Sequence, residues 1–224
     1  MKINSLSRPK SLTEITYERL KAAILDDEIE LGAQLSELKL SKSLGVSKTP
    51  IREALQELRR EGLVHVDPQR GSFVFSLTEQ EIDQICTLRS ILEVGAAQRL
   101  YEVGRTRTIN KLEKIVDGMV TLSQKGDARG YVKLDSEFHQ AIVEGAQNRY
   151  LVAAYRPLSA QVEAMRARNL KSAEVLKRSV DVHRSILETL RQENLEAFLQ
   201  TTRQHIEQSR LDFLDWLQRS TNTE

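Results

Sequence analysis

Asp135 and His139 stand four residues apart, so on a helix they share one face. His183 and His205 are 22 residues apart. If their segments form antiparallel helices turning near Glu193-Asn194, the two imidazoles lie level, 10 and 11 residues from the turn. Three imidazoles and a carboxylate converging inside a helical bundle make a divalent-metal site, because neutral imidazole suits borderline ions. Zinc or nickel comes first for this donor set, with manganese or iron next. An octahedral ion held by four protein ligands keeps two positions for water or a ligand's oxygens. The other reading, residue by residue, is a set of separate polar groups satisfied by hydrogen bonds. His65 falls on a predicted strand and reads as a partly packed surface residue.

A second group of side chains has a different chemistry. Ser47, Lys48, Thr49 and Arg52 crowd the start of one predicted helix. Hydroxyls and free backbone N–H groups at a helix N-terminus suit phosphate oxygens. A guanidinium one turn further along can grip guanine with two hydrogen bonds in the major groove. Arg70-Gly71, in a turn shortly after, could reach the minor groove or the DNA backbone, glycine allowing a close main-chain approach. The alternative for Lys48 and Arg52 is a solvated helix face. The hydroxyl-rich cap and the following basic turn weigh against it.

Both groups need elements to position them. Leu12, Ile15, Leu20, Ala23 and Ile24 recur at helical spacing over 11–27. Leu31–Leu35 reads as a turn, Ser36 as an N-cap and Gly45 as the left-handed residue closing a short helix. The next helix starts at Ser47, carries Pro50 in its first turn and buries Ile51, Ala54, Leu55 and Leu58. Leu63–Val66 and Ser72–Phe75 read as strands joined through 67–71. This order predicts a winged helix-turn-helix over 11–76, behind a loose arm at 1–10. From 77 to 224 the pattern is helical throughout, with amphipathic stretches at about 78–102, 109–125, 128–146, 149–169, 172–192 and 194–218. Short breaks between them predict an antiparallel all-α bundle, and Pro157 should kink the fourth stretch. The fold class is therefore mainly α, a winged reader followed by a helical bundle.

Composition narrows the function class. The formal charge is +1 over 224 residues, and the first 75 hold 12 Lys/Arg against 11 Asp/Glu, so only charge placement can argue for DNA. No apolar run reaches the roughly 20 residues of a membrane span. Met1–Leu6 lacks the apolar run of a secretory signal. Cys86 is the single cysteine, expected to pack as a small apolar side chain. These features point to a cytoplasmic protein without membrane partners.

The stretch from Ser36 to Val74 resembles the N-terminal domain of GntR-type bacterial transcription regulators. The resemblance runs through Leu44-Gly45-Val46-Ser47-Lys48-Thr49-Pro50-Ile51-Arg52-Glu53-Ala54-Leu55, then Leu58, Glu61-Gly62-Leu63-Val64 and Arg70-Gly71-Ser72-Phe73-Val74. Residues 78–218 resemble the FCD ligand-binding domain of the FadR-like subfamily. There it runs through Leu88-Arg89-x-x-Leu92-Glu93, Asp135-x-x-Phe138-His139, Asn148, His183-x-x-Ile186-Leu187 and His205-Ile206. The resemblance implies that Asp135, His139, His183 and His205 bind a metal, and that a small carboxylic or sugar acid binds at or near it. Arg89 matches an arginine that often faces the pocket, although a salt bridge to Glu93 four residues along fits it as well. Arg166, on a neighbouring helix, is a second candidate effector contact. Two positions depart from the family pattern. Lys48 stands where Arg is commoner, which loses the bidentate fork. Val182 stands where an acidic residue often precedes the third ligand.

The function implied is a homodimeric regulator that binds double-stranded operator DNA and is controlled by a small organic acid, a repressor first, with activation left open because the sequence does not fix the sign of the response. Three other functions remain open on the sequence: a regulator for which the metal ion is itself the signal, a purely structural metal, and a metalloenzyme. No activated nucleophile or separate general base accompanies the ligands, so the enzyme reading has least behind it.

Overall fold

The computed structural model describes residues 9–170 and 172–221. The arm expected at 1–10 falls mostly outside these residues, as does Lys171 in the expected break at 170–171. The chain divides into two compact units, one ending at Phe75 and one beginning at Ser76. The first is a winged helix-turn-helix and the second is all-helical.

In the first unit, α1 (Leu12–Leu25) opens on a capping box between Ser11 and Glu14. Its buried residues are Thr16, Leu20, Ala23 and Ile24, while Leu12 and Ile15 are exposed despite their helical spacing. Ser36 caps α2 (Glu37–Leu44) through the Lys39 N–H, and Gly45 closes it at φ 65°. α3 (Lys48–Arg60) buries Pro50, Ile51, Ala54, Leu55 and Leu58 and packs on α1. This one-sided stripe leaves the polar N-terminal residues of α3 facing water.

Residues 34–35, expected within a turn, instead form a short strand, β1 (Gln34–Leu35). Two residues carry no readable alternation, and pairing with a distant strand is what makes them a strand. The sheet order is β1–β3–β2, all antiparallel, with Gln34 opposite Phe73. β2 (Val64–Asp67) and β3 (Gly71–Val74) pair from Val64–Val74 to Asp67–Gly71. The hairpin loop is therefore the three residues Pro68-Gln69-Arg70.

The second unit consists of α4 (Glu79–Val103), α5 (Thr106–Lys125), α6 (Ala128–Gly145), α7 (Arg149–Asn169), α8 (Ala173–Arg191) and α9 (Leu195–Thr221). Thr78 and Glu81 form a capping box at the start of α4. α7 continues through Pro157, where the Ala153 carbonyl loses its usual partner. α4 packs on α6, α7 and α9, and α5 packs on α6 and α8. One core joins Leu100, Leu112, Met119, Phe138, Ile142, Ile186 and Phe198, and a second joins Ala96, Val143, Tyr155 and Val162.

The inner face of α4 is apolar at both ends, with Ile82 and Cys86 towards one and Ala97 and Leu100 towards the other. Its middle carries two fully buried charges, Arg89 and Glu93. Charged residues are almost never fully buried unless paired, and these two form an ion pair with each other at 2.7 Å. No helix among the described residues is long and apolar enough to cross a membrane.

Candidate functional site

The Asp135–His139 face of α6 turns inward and meets His183 from α8 and His205 from α9. The three imidazoles offer ligand atoms that all lie within 4.8 Å of one another. His139 Nε2 is 3.4 Å from His183 Nε2 and 3.1 Å from His205 Nε2. Asp135 Oδ2 lies 3.2 Å from His183 Nε2, and Asp135 Oδ1 lies 3.8 Å from His139 Nε2. The four residues expected at the metal are thus brought together from three helices.

Hydrogen bonds set the ring tautomers. His139 Nδ1 faces Glu93 Oε2 at 2.7 Å, and His183 Nδ1 faces the Ser179 carbonyl at 2.7 Å. Both partners accept only, so each Nδ1 carries the proton and each Nε2 keeps its lone pair. Two lone pairs facing each other at 3.4 Å repel, and a shared cation turns that repulsion into coordination. Two nitrogens each about 2.1 Å from one ion, at an angle of about 90–110°, lie about 3.0–3.4 Å apart. The residues therefore fit a divalent ion.

The electrostatics agree with this fit. Burial pushes the His139 imidazole down to about 4 despite the adjacent Glu93 carboxylate, and Arg166 and Arg89 add to the fall. Burial likewise lowers His183 and takes His205 well below its ordinary value. Neutral imidazole is the metal-binding form. Burial works against the charge on Asp135, but the Arg166 guanidinium foremost outweighs it and keeps the carboxyl below its usual range.

Arg166 Nε lies 2.6 Å from Asp135 Oδ1 as an ion pair, without hydrogen-bond alignment. Its Nη1 reaches Ser136 at 3.5 Å, and its Nη2 is buried without a hydrogen-bond partner. Arg166, Asp135 and His205 line a cavity of about 520 Å³, together with Arg178, Ser179 and Phe213. Arg89 does not line it. That residue is fully buried, gives Nε to Glu93 Oε1 at 2.7 Å and brings Nη2 within 3.2 Å of His139 Nε2. Its Nη1 also has no partner. Glu93, read from sequence only as a partner for Arg89, holds His139 as well and accepts the Tyr155 hydroxyl at 2.7 Å. The spacing Arg89-x-x-x-Glu93 could have flagged this carboxylate. Nothing in the sequence flags Tyr155, which is 62 residues from Glu93.

In the first unit, Ser47 sits at the N-cap of α3 with no side-chain cap hydrogen bond, so its hydroxyl is free for another acceptor or donor. Ser47, Lys48, Thr49 and Arg52 are all exposed on this end of the helix. Arg52 Nε is held by Glu37 Oε2 of α2 at 2.7 Å. At the wing tip, Arg70 Nη1 lies 3.2 Å from Asp67 Oδ2, and the guanidinium sits 5.5 Å from the Phe73 ring centre. Gly71 has φ 108°, a conformation that other residues rarely adopt. Gln34 of β1 donates to the Arg70 carbonyl at 2.7 Å and braces the tip. His65 is exposed and stacks on Phe73.

Comparison with known proteins agrees with both units. Residues 12–74 match the family described as bacterial regulatory proteins, gntR family, and residues 84–208 match the FCD domain. The gluconate operon transcriptional repressor of Bacillus licheniformis is 29% identical over 207 residues, covering 90% of this chain and 84% of its own. A helix-turn-helix transcriptional regulator from an unstable DNA locus of Streptomyces ambofaciens is 31% identical over 195 residues, covering 85% of this chain and 80% of its own. The solved structure of E. coli McbR/YncC shares the fold, with a TM-score of 0.76, 20% identity, and coverage of 92% of this chain and 99% of that one. Reader and bundle occur here in the order of those regulators, and the chain belongs to the gntR family of bacterial regulatory proteins, in the branch that carries an FCD domain.

Proposed function

We propose that this chain is a homodimeric transcriptional repressor, released from its operator by a small organic acid bound beside a divalent metal ion. The observation that carries the reading is a group of unsatisfied polar atoms. Arg166 Nη2, on the cavity wall, and Arg89 Nη1, deeper in the bundle, are buried without a hydrogen-bond partner, and Asp135 Oδ1 meets only the misaligned Arg166 Nε, beside a histidine cluster that opens on the cavity. Buried groups left in this state cost about 1–3 kcal/mol each, more when charged, so they favour a ligand that satisfies them. Asp135, His139, His183 and His205 would hold the ion, which would supply positive charge to draw in an anion.

Charge balance supports an acid as that ligand. Arg89 and Arg166 offset Glu93 and Asp135, and the three histidines are neutral. A divalent ion would leave the site two charges positive, and a carboxylate offsets part of that excess while giving Arg166 an acceptor. The name of the gluconate operon repressor makes sugar acids the first class to try.

On the DNA side, Ser47, Lys48, Thr49 and Arg52 would enter the major groove and Arg70-Gly71 would follow the backbone or minor groove. Two copies would occupy the halves of a pseudo-palindrome. For release, the acid must bind one bundle conformation more tightly than the other.

The test is a thermal-shift screen of metal-loaded protein against small carboxylic and sugar acids, repeated after chelation. A stabilising ligand raises the midpoint with concentration, by about 2.7 kcal/mol of added stability at 100 times its Kd. A shift that needs the metal supports the reading. If no acid shifts the midpoint but chelation alone changes operator affinity, the ion is the signal and the acid reading fails.

A further inference from the structure

We propose that Glu93 is the positioning residue of the metal site, fixing the His139 tautomer in which Nε2 keeps its lone pair for a divalent ion. This rests on the metal reading above. Glu93 comes from α4, His139 from α6 and Tyr155 from α7, so the carboxylate joins three helices. Its two oxygens divide their work. Oε1 accepts from Arg89 Nε and from the Tyr155 hydroxyl, both at 2.7 Å. Oε2 lies 2.7 Å from His139 Nδ1.

Glu93, Arg89, His139 and Tyr155 are all fully buried, so water cannot replace the carboxylate as acceptor. Without an acceptor at Nδ1, the ring proton is free to move to Nε2. There it would face the other imidazoles and block the lone pair. His183 is held the same way by a main-chain carbonyl, that of Ser179, and Arg89, itself held by Glu93, brings the donor Nη2 within 3.2 Å of His139 Nε2, so Glu93 orders the side chains at both nitrogens of the His139 ring. Carboxylates that orient metal-bound histidines typically change metal affinity by 10–100-fold when removed.

Glu93→Gln tests the assignment closely. Arg89 Nε and the Tyr155 hydroxyl both need an acceptor, so they hold the amide oxygen on their side. The amide NH2 is then left against His139 Nδ1, which must accept, and the proton moves to Nε2. Two readouts on the full-length protein apply. Ring nitrogen–proton correlation spectra of the metal-free protein report the tautomer directly, and a cobalt(II) titration followed by absorption reports affinity.

The wild type should carry the proton on His139 Nδ1 and E93Q on Nε2, with cobalt affinity reduced about 10–100-fold. Tyr155→Phe, which leaves Oε2 and its bond to His139 in place, should keep the wild-type tautomer and most of the affinity. If E93Q does not fold, the double change Arg89→Met with Glu93→Met removes the charge pair symmetrically at similar volume, and it should lose at least about tenfold in cobalt affinity. Wild-type affinity or an unchanged tautomer in E93Q overturns the role of Glu93. So does an equal loss in Y155F, which would mean that the network is only structural. Absence of cobalt uptake by the wild-type protein overturns the metal reading itself.

Discussion

Each unit holds one of its central arginines with a glutamate at 2.7 Å, and the two pairs behave differently. Arg52–Glu37 in the reader is 59% and 36% exposed, whereas Arg89–Glu93 in the bundle is 0% exposed on both sides. In water an ion pair is worth about 0–1 kcal/mol, because solvent and mobile ions serve either partner almost as well. Arg52 can therefore leave Glu37 for a base or phosphate with little loss, as a DNA reader requires. Inside the bundle neither partner has a substitute, and losing one strands a charge in a medium of low polarity. The reader keeps its charges exchangeable, and the bundle locks its charges against each other and against His139.

The sharpest way to break this comparison is to remove one arginine from each unit. Arg89→Ala should destabilise the protein by about 3–5 kcal/mol, and Arg52→Ala by less than about 0.5 kcal/mol, both read from urea unfolding. Equal losses would sink the contrast.

The next effect is a pH dependence confined to the bundle. Burial, foremost, holds His139 at about 4 against an ordinary 6.5. In metal-free protein the unfolded chain takes up a proton below about 6.5 that the buried ring refuses. The stability contributed by the neutral ring is present above about 6.5 and is lost as the pH falls towards 4. Carboxylates titrate over the same window, so the reading is the difference between wild type and His139→Gln, which should show the shallower fall in urea midpoint between about pH 7 and pH 5 in chelator. An identical slope in the two proteins would contradict the burial of this imidazole.

On the DNA side, Arg52→Ala should weaken operator binding by about 1–3 kcal/mol per half-site and relax base preference at one position. Binding assays on operator variants would show it, and unchanged affinity would remove α3 from the major groove. The smallest change concerns the wing. Arg70→Ala should weaken binding about equally across sequences and lower the slope of its salt dependence by about one unit, the share of a single phosphate. A change in base preference instead would make Arg70 a base reader.

Much of this molecule was legible along the chain, and the parts that were share a short range. The reader follows from one run, Leu44 to Leu55, in which a left-handed glycine, a serine cap, an early proline and an apolar stripe all act within a few turns. The six bundle helices follow from periodicity, and three of them begin at the N-caps Thr78, Asp127 and Asn148. Asp135 and His139 share a face by helical pitch alone, and a helical hairpin levels His183 with His205.

Tertiary structure decided the rest, because those interactions join residues far apart in sequence. Glu93 reaches His139 across 46 residues and Tyr155 across 62. Gln34 becomes a strand only through Phe73, and Arg52 meets Glu37 only when α3 packs beside α2. Arg89 read equally well as a ligand clamp or as a partner of Glu93. Packing on α6 and α7 buried it in the ion pair, while Arg166 took the cavity wall. Helical pitch and capping act over one or two turns and can be read from a single strip of sequence. Burial depends on which faces meet, and that is set by the packing of the whole bundle.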